Sequence, residues 1–166
     1  MRRVMSILVE NTSGVLSRVS GLFSRRGYNI VSLTVAETQD PKQSRMTVVA
    51  DGDEQILSQI QNQLDKLEDV ISITTLTSRE SVCRELMLIK VAADIKKRGA
   101  IMTIAEIFHA KVVDVSNDSI MMELTGNQDK LDSFLKLLVD YKIIEMVRTG
   151  VTGLMRADSK DYSDNI

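Results

Sequence analysis

Apolar residues recur along this chain with two different periods, and the order in which those periods alternate is the first sign of its architecture. Residues 3–10 form a short apolar run that reads as a strand, and Val15, Leu16, Val19, Leu22 and Phe23 then recur at helical spacing. Gly27, behind Arg25 and Arg26, ends that helix. Residues 28–36 alternate, with Val31, Leu33 and Val35 expected on one face and Ser32 and Thr34 on the other. Asp40-Pro41 marks a loop, a strand is expected over 45–50, and Asp51-Gly52-Asp53 a turn. Ile56, Leu57, Ile60, Leu64 and Leu67 line one side of a second helix, and a strand over 70–76 closes the unit.

The same order then repeats after a seam at 77–81. A strand is expected over 86–92, a helix from Ile95 to near Phe108, strands over 111–115 and 120–125, a helix carrying Leu131, Phe134, Leu135 and Leu138, and a last strand over 143–149. Gly99, inside the first of these helices, costs about 1 kcal/mol relative to alanine. Strand, helix, strand, strand, helix, strand is the βαββαβ order of a ferredoxin-like unit, with two helices on one face of a four-stranded antiparallel sheet. The expected fold is therefore α+β, with two ferredoxin-like domains at 1–77 and 82–154 and a polar, mobile tail over 155–166. Each sheet is expected to leave its second face and its edges open, which favours self-association.

Composition narrows the function classes. The chain has 166 residues, 43% hydrophobic and 27% charged, which suits a packed globular protein. Its 21 basic and 23 acidic residues are interspersed, so no basic stripe marks a nucleic-acid binder. No apolar run approaches the ~20 residues of a membrane span, and the run after Met1 is too short for a signal peptide. One cysteine, Cys83, and one histidine, His109, do not build a disulfide or a usual zinc site, and a cytoplasmic location fits. Neither residue has a partner at catalytic spacing, and no phosphate-cradling or dinucleotide glycine motif is present. Met5, Met87, Met121, Met122 and Met146 fall in expected strands and read as core filler. Arg25-Arg26 and Lys96-Lys97-Arg98 read as helix-end and surface charge.

The stretch with most chemical potential is the loop from Asn11 to Gly14, between the first strand and first helix. A helix start offers free backbone N–H groups and the positive end of the dipole, both suited to a carboxylate. Asn11 and Ser13 can add side-chain hydrogen bonds, Gly14 allows close approach, and Asn29 offers donors and acceptors. Val15, Leu16 and Ile30 are the apolar neighbours. Taken alone, the same residues serve equally as helix caps, a turn glycine and a strand-start amide bonded to its own backbone.

Two sets of segments carry a resemblance that bears on this choice. The first is Glu10-Asn11-Thr12-Ser13-Gly14-Val15-Leu16-Ser17-Arg18-Val19, Leu22-Phe23-Ser24-Arg25-Arg26-Gly27-Tyr28-Asn29-Ile30, Ser32-Leu33-Thr34-Val35-Ala36 and Ser44-Arg45-Met46-Thr47. The second is Arg84-Glu85-Leu86-Met87-Leu88-Ile89-Lys90-Val91, Ile107-Phe108, Val113-Asp114-Val115 and Arg148-Thr149-Gly150-Val151. In this order they resemble the small regulatory subunits of acetohydroxy acid synthase, also called acetolactate synthase. The resemblance implies an N-terminal ACT domain that pairs with a second copy and binds valine, leucine or isoleucine between the two. Asn11 and Gly14 would come from one chain and Asn29 from the other, with Ser13, Val15, Leu16 and Ile30 secondary. It also implies a catalytic large subunit as partner, carrying thiamine diphosphate, magnesium and FAD, with no cofactor in this chain. The loop from Asp94 to Gly99 departs from the Asn-x-x-Gly spacing, so no effector site is expected in the second half. An ACT-domain sensor acting on another enzyme or a transcription factor is the alternative.

Overall fold

The computed structural model describes residues 1–157, and its first sheet is organised around one strand. β1 (Arg2–Glu10) sits between β3 (Gln43–Asp51) and β4 (Val70–Thr75), and β2 (Ile30–Glu37) completes the order β2-β3-β1-β4. Met5, Ile7 and Val9 alternate with Ser6 and Leu8 along β1, and all three are buried. They stand opposite Val48, Met46 and Ser44 of β3, so one face of the sheet is apolar except at its Ser44 end. α1 (Val15–Arg26) and α2 (Glu54–Leu64) supply Val15, Val19, Leu22, Phe23, Leu57, Ile60 and Leu64 to the same core. Gly27 ends α1 in the left-handed conformation at φ 66, and Asp53 caps α2 by accepting from Ile56 N at 2.8 Å.

The second unit repeats this plan. β5 (Ser81–Ala92), β6 (Lys111–Val115), β7 (Ser119–Gly126) and β8 (Ile143–Arg148) take the order β6-β7-β5-β8. α3 (Ile95–Phe108) and α4 (Gln128–Leu137) cover one face, where Ile101, Leu131 and Phe134 join Met87, Ile89 and Met122 in a core. Phe108 meets Phe134 edge-on, with ring centroids 5.4 Å apart. Glu85, only 6% exposed, is held by Arg148, whose Nε and Nη2 donate to its two carboxylate oxygens at 2.8 and 2.7 Å. That bidentate pair raises the Arg148 guanidinium above its ordinary pKa and ties β8 to β5. The two ferredoxin-like βαββαβ units expected from periodicity are both present.

The chain divides into two compact units, one comprising Met1–Cys83 together with the chain from Val151, the other Arg84–Gly150. The return of the chain to the first unit has no counterpart in the expected pattern. It carries β9 (Thr152–Met155), which pairs with β5, and Arg156 N donates to Glu80 O at 2.7 Å. A four-residue strand containing a glycine, placed after a completed repeat, has too few alternating positions to announce itself. Met155, the first residue of the expected tail over 155–166, ends this strand, and that tail from residue 158 lies outside the described residues.

Three expectations need correction. The second face of the first sheet is not open: Ser6, Thr47 and Val49 on it are all under 5% exposed. There Thr34 Oγ1 donates to Val151 O at 2.9 Å and Val151 N donates to Ser32 Oγ at 3.1 Å. Val31 does not share a face with Leu33 and Val35, because the β2–β3 register shifts between Ile30 and Ser32. Ile30 and Leu33 stand opposite Ala50 and Val48 and pack on the core, whereas Val31 is exposed. Met146 lies exposed on the edge strand β8, so it is not core filler.

Two glycines should respond oppositely to alanine. A Cβ at Gly99 meets nothing within 4 Å, so Gly99→Ala should stabilise α3 by up to about 1 kcal/mol. A Cβ at Gly153 would lie 2.7 Å from Cys83 Sγ and 3.1 Å from Val82 O, so Gly153→Ala should cost about 1–3 kcal/mol. Urea unfolding of the two variants measures both shifts.

Candidate functional site

The loop between β1 and α1 is built by a backbone that leaves the sheet and turns at once into a helix. Asn11 N donates to Lys42 O at 2.7 Å, which anchors the loop to the β2–β3 turn. Gly14 is the N-cap, at φ 88 and ψ −6, a conformation that L side chains rarely adopt. The turn therefore requires glycine on backbone grounds. No side chain caps α1, whereas Asp53, Asp94 and Asn127 cap α2, α3 and α4. Ser13 is exposed and contributes no cap.

Asn11 does not cap the helix either. Its Nδ2 donates to Glu37 Oε1 at 3.0 Å and to Pro41 O at 2.8 Å, and its Oδ1 accepts from Ser44 Oγ at 3.0 Å. Both amide donors are thus used in holding the loop against the end of β2 and the start of β3. Glu37, Pro41 and Ser44 carry no motif spacing relative to Asn11, because the strand pairing alone brings them there.

A second missed feature is the pair of Arg18 and Asp69. Arg18 Nε and Nη2 donate to the two oxygens of Asp69 at 2.5 and 2.8 Å. The pair lies beside the loop: a Cβ on Gly14 would come within 3.0 Å of Arg18 Nη1. Hydrogen bonding to Arg18 holds the Asp69 carboxyl below its ordinary pKa and raises that of the guanidinium.

The remaining candidates divide by exposure. Val15 is buried in the core, Ile30 is half-buried against it, and Leu16 is 41% exposed on the first turn of α1. Asn29 is exposed, and its amide has no hydrogen-bond partner among the described residues. It precedes β2, whereas Asn11 bonds to Glu37 at the far end of that strand. Eight strand residues separate the two by roughly 24 Å within one chain. Among the described residues, no cluster of three or more His, Cys, Asp or Glu is placed to hold a metal ion, and no helix is long and apolar enough to cross a membrane.

Residues 5–72 match the family described as the AHAS small subunit-like ACT domain, and residues 84–157 match the small subunit of acetolactate synthase. The chain is 50% identical over 159 residues to the acetolactate synthase isozyme 3 small subunit of Salmonella typhimurium, spanning 95% of this chain and 98% of that one. The chain belongs to the acetolactate synthase small-subunit family. A probable acetolactate synthase small subunit from Archaeoglobus fulgidus is 46% identical over 96% of this chain and its own full length. The crystal structure of the acetolactate synthase small subunit of Thermotoga maritima superposes with a TM-score of 0.86, at 36% identity over 96% of this chain and 99% of that chain. In this family setting the two units are an ACT domain followed by a second domain of the same βαββαβ plan.

The Arg18–Asp69 pair sets a pH dependence of known sign. A carboxyl depressed in the folded state adds stability above its unfolded pKa, and that stability is lost as pH falls through the folded value. The Asp69 carboxyl carbon, followed by NMR, should titrate below the ordinary aspartate midpoint, and Arg18→Met should return it upward. An unchanged midpoint in the variant would show that Arg18 is not the cause.

Proposed function

We propose that this chain is the regulatory subunit of an acetolactate synthase, binding valine or another branched-chain amino acid between two copies of its ACT domain and passing that occupancy to a catalytic large subunit. Membership of the small-subunit family supports the regulatory role. The observation that carries the shared pocket is the placement of Asn11 and Asn29 at opposite ends of β2. One chain does not bring them together. β2 is a sheet edge with Val31 and Val35 exposed, and pairing it antiparallel with β2 of a second copy exchanges the ends. Asn29 of one copy then approaches the Asn11–Gly14 loop of the other.

In this reading the uncapped first turn of α1 receives the effector carboxylate on its backbone N–H groups, with the helix dipole assisting. Gly14 keeps that approach clear, Asn29 bonds the charged end of the ligand, and exposed Leu16 meets its aliphatic part. Asn11 acts chiefly by fixing the loop. The amino acid inhibits only in so far as it binds one conformation of the complex more tightly than another. Condensation of 2-oxo acids, with thiamine diphosphate, magnesium and FAD, belongs to the catalytic partner. The working location is the cytoplasm.

Asn29→Ala should weaken valine inhibition of the reconstituted enzyme by roughly tenfold to a hundredfold, the value of one or more hydrogen bonds to a charged group. Gly14→Asp adds both charge and backbone strain, so Gly14→Ala is the control for strain alone. Gly14→Asp should abolish inhibition where Gly14→Ala leaves part of it. Rate against valine concentration measures all three, and sedimentation should find a dimer. Full valine sensitivity in both Asn29→Ala and Gly14→Asp would place the pocket elsewhere.

A further inference from the structure

The first sheet has a second built space, on the face away from α1 and α2. It is a cleft of about 390 Å³ between β2 and β3 on one side and the β9 segment on the other, within the size range of small-molecule sites. Strand register puts Thr34 opposite Thr47 and Ala36 opposite Arg45, so these four side chains share the floor. Leu154 of β9, well exposed, forms an apolar wall.

Two of the polar groups that line the cleft have hydrogen-bonding capacity left over. Arg45 is half-buried, and its Nη1 donates to the hydroxyl of buried Ser6 at 3.0 Å. No carboxylate pairs with it among the described residues, which leaves most of its five donors without an anionic partner. Thr47 is 2% exposed and its hydroxyl has no hydrogen-bond partner among the described residues. The one sealed side-chain N or O atom without a partner among those residues is Arg98 Nε, so the Thr47 oxygen opens onto the cleft it lines. Both groups therefore keep hydrogen-bonding capacity facing the cleft, which a ligand oxygen can meet in place of water.

We propose that this cleft is a small-molecule site for a short-chain monocarboxylate, held by Arg45 and Thr47 with its carbon chain against Ala36 and Leu154. The guanidinium fork suits a carboxylate, and the Thr47 hydroxyl serves one of its oxygens or a polar group next to it. Glu37 at the rim adds negative charge, which disfavours a dianion such as phosphate. Either an amino acid or a 2-oxo acid carries the required chemistry. The residues that line the site all come from one chain, and β2 among them is also the strand proposed to pair with a second copy.

NMR titration of the full chain tests this, with isobutyrate against its neutral isostere isobutyramide. Isobutyrate should shift the amide resonances of Arg45, Thr47 and Leu154, and isobutyramide should not. Arg45→Met should weaken isobutyrate binding by at least about tenfold, the value of charge-assisted bonds. Thr47→Val, nearly isosteric, should weaken it by a smaller factor and decides the matter if Arg45→Met does not fold. L-valine and pyruvate, each added to Asn29→Ala protein, identify the natural class by which one moves Thr47 at lower concentration. The proposal is overturned if isobutyrate and isobutyramide act alike, if neither moves these resonances up to about 20 mM, or if a folded Arg45→Met or Thr47→Val variant binds isobutyrate as the parent does.

Discussion

The register of β1 against β3 is the constraint on which the rest of the first unit depends. Because side chains alternate with period two, pairing Ile7 with Met46 sends Met5, Ile7 and Val9 into the helical core and Ser6 and Leu8 to the opposite face. A slip of one residue would turn Ser6 into the helical core and move Met5, Ile7 and Val9 to the face that carries Thr47 and Arg45. The same register brings Ser6 diagonal to Arg45, aligns Asn11 with the β2–β3 turn, and separates that end of the sheet from Asn29. The candidate loop and the cleft on the other face are thus consequences of one pairing.

The order of elements was legible because the apolar residues of α1 and α2 keep a helical period, and β1 and β4 are short apolar runs bounded by polar residues. The family resemblance, carried by strings such as Asn11-Thr12-Ser13-Gly14 and Arg25-Arg26-Gly27-Tyr28-Asn29, was legible for a different reason: it rests on order and identity, not on period. What escaped were features made by contacts distant in sequence. Val151, just before β9, meets residues 32 and 34 across more than a hundred positions, and nothing local to 151–155 signals that destination. The displacement of Val31 is a register shift, which the alternation of Val31, Leu33 and Val35 conceals by continuing unbroken through it.

The loop shows the same distinction at the level of single residues. A short polar run before a helix offers several equivalent uses for an Asn or Ser, and sequence does not choose among them. Pairing of β2 with β3 commits Asn11 to Glu37, Pro41 and Ser44, and so removes it from the helix start. Gly14 gains a second reason to be glycine, since φ 88 strains any other residue irrespective of what approaches it. A side chain placed there strains the backbone and also approaches Arg18 Nη1, so a substitution changes both at once.

The two units share a fold but differ at the start of the helix that follows their first strand. In the second unit Asp94 accepts from both Lys96 N and Lys97 N at 2.9 Å, so its own carboxylate occupies the start of α3. Arg98 Nη2, donating to Ser116 O at 2.6 Å and Asn117 O at 3.0 Å, fastens that helix start to the β6–β7 loop. An incoming carboxylate would meet a like charge and occupied donors there. At α1 the corresponding place has a glycine and no capping side chain. A capping side chain occupies the free N–H groups of a helix start, and the two units differ in that Asp94 does so at α3 whereas no side chain does so at α1.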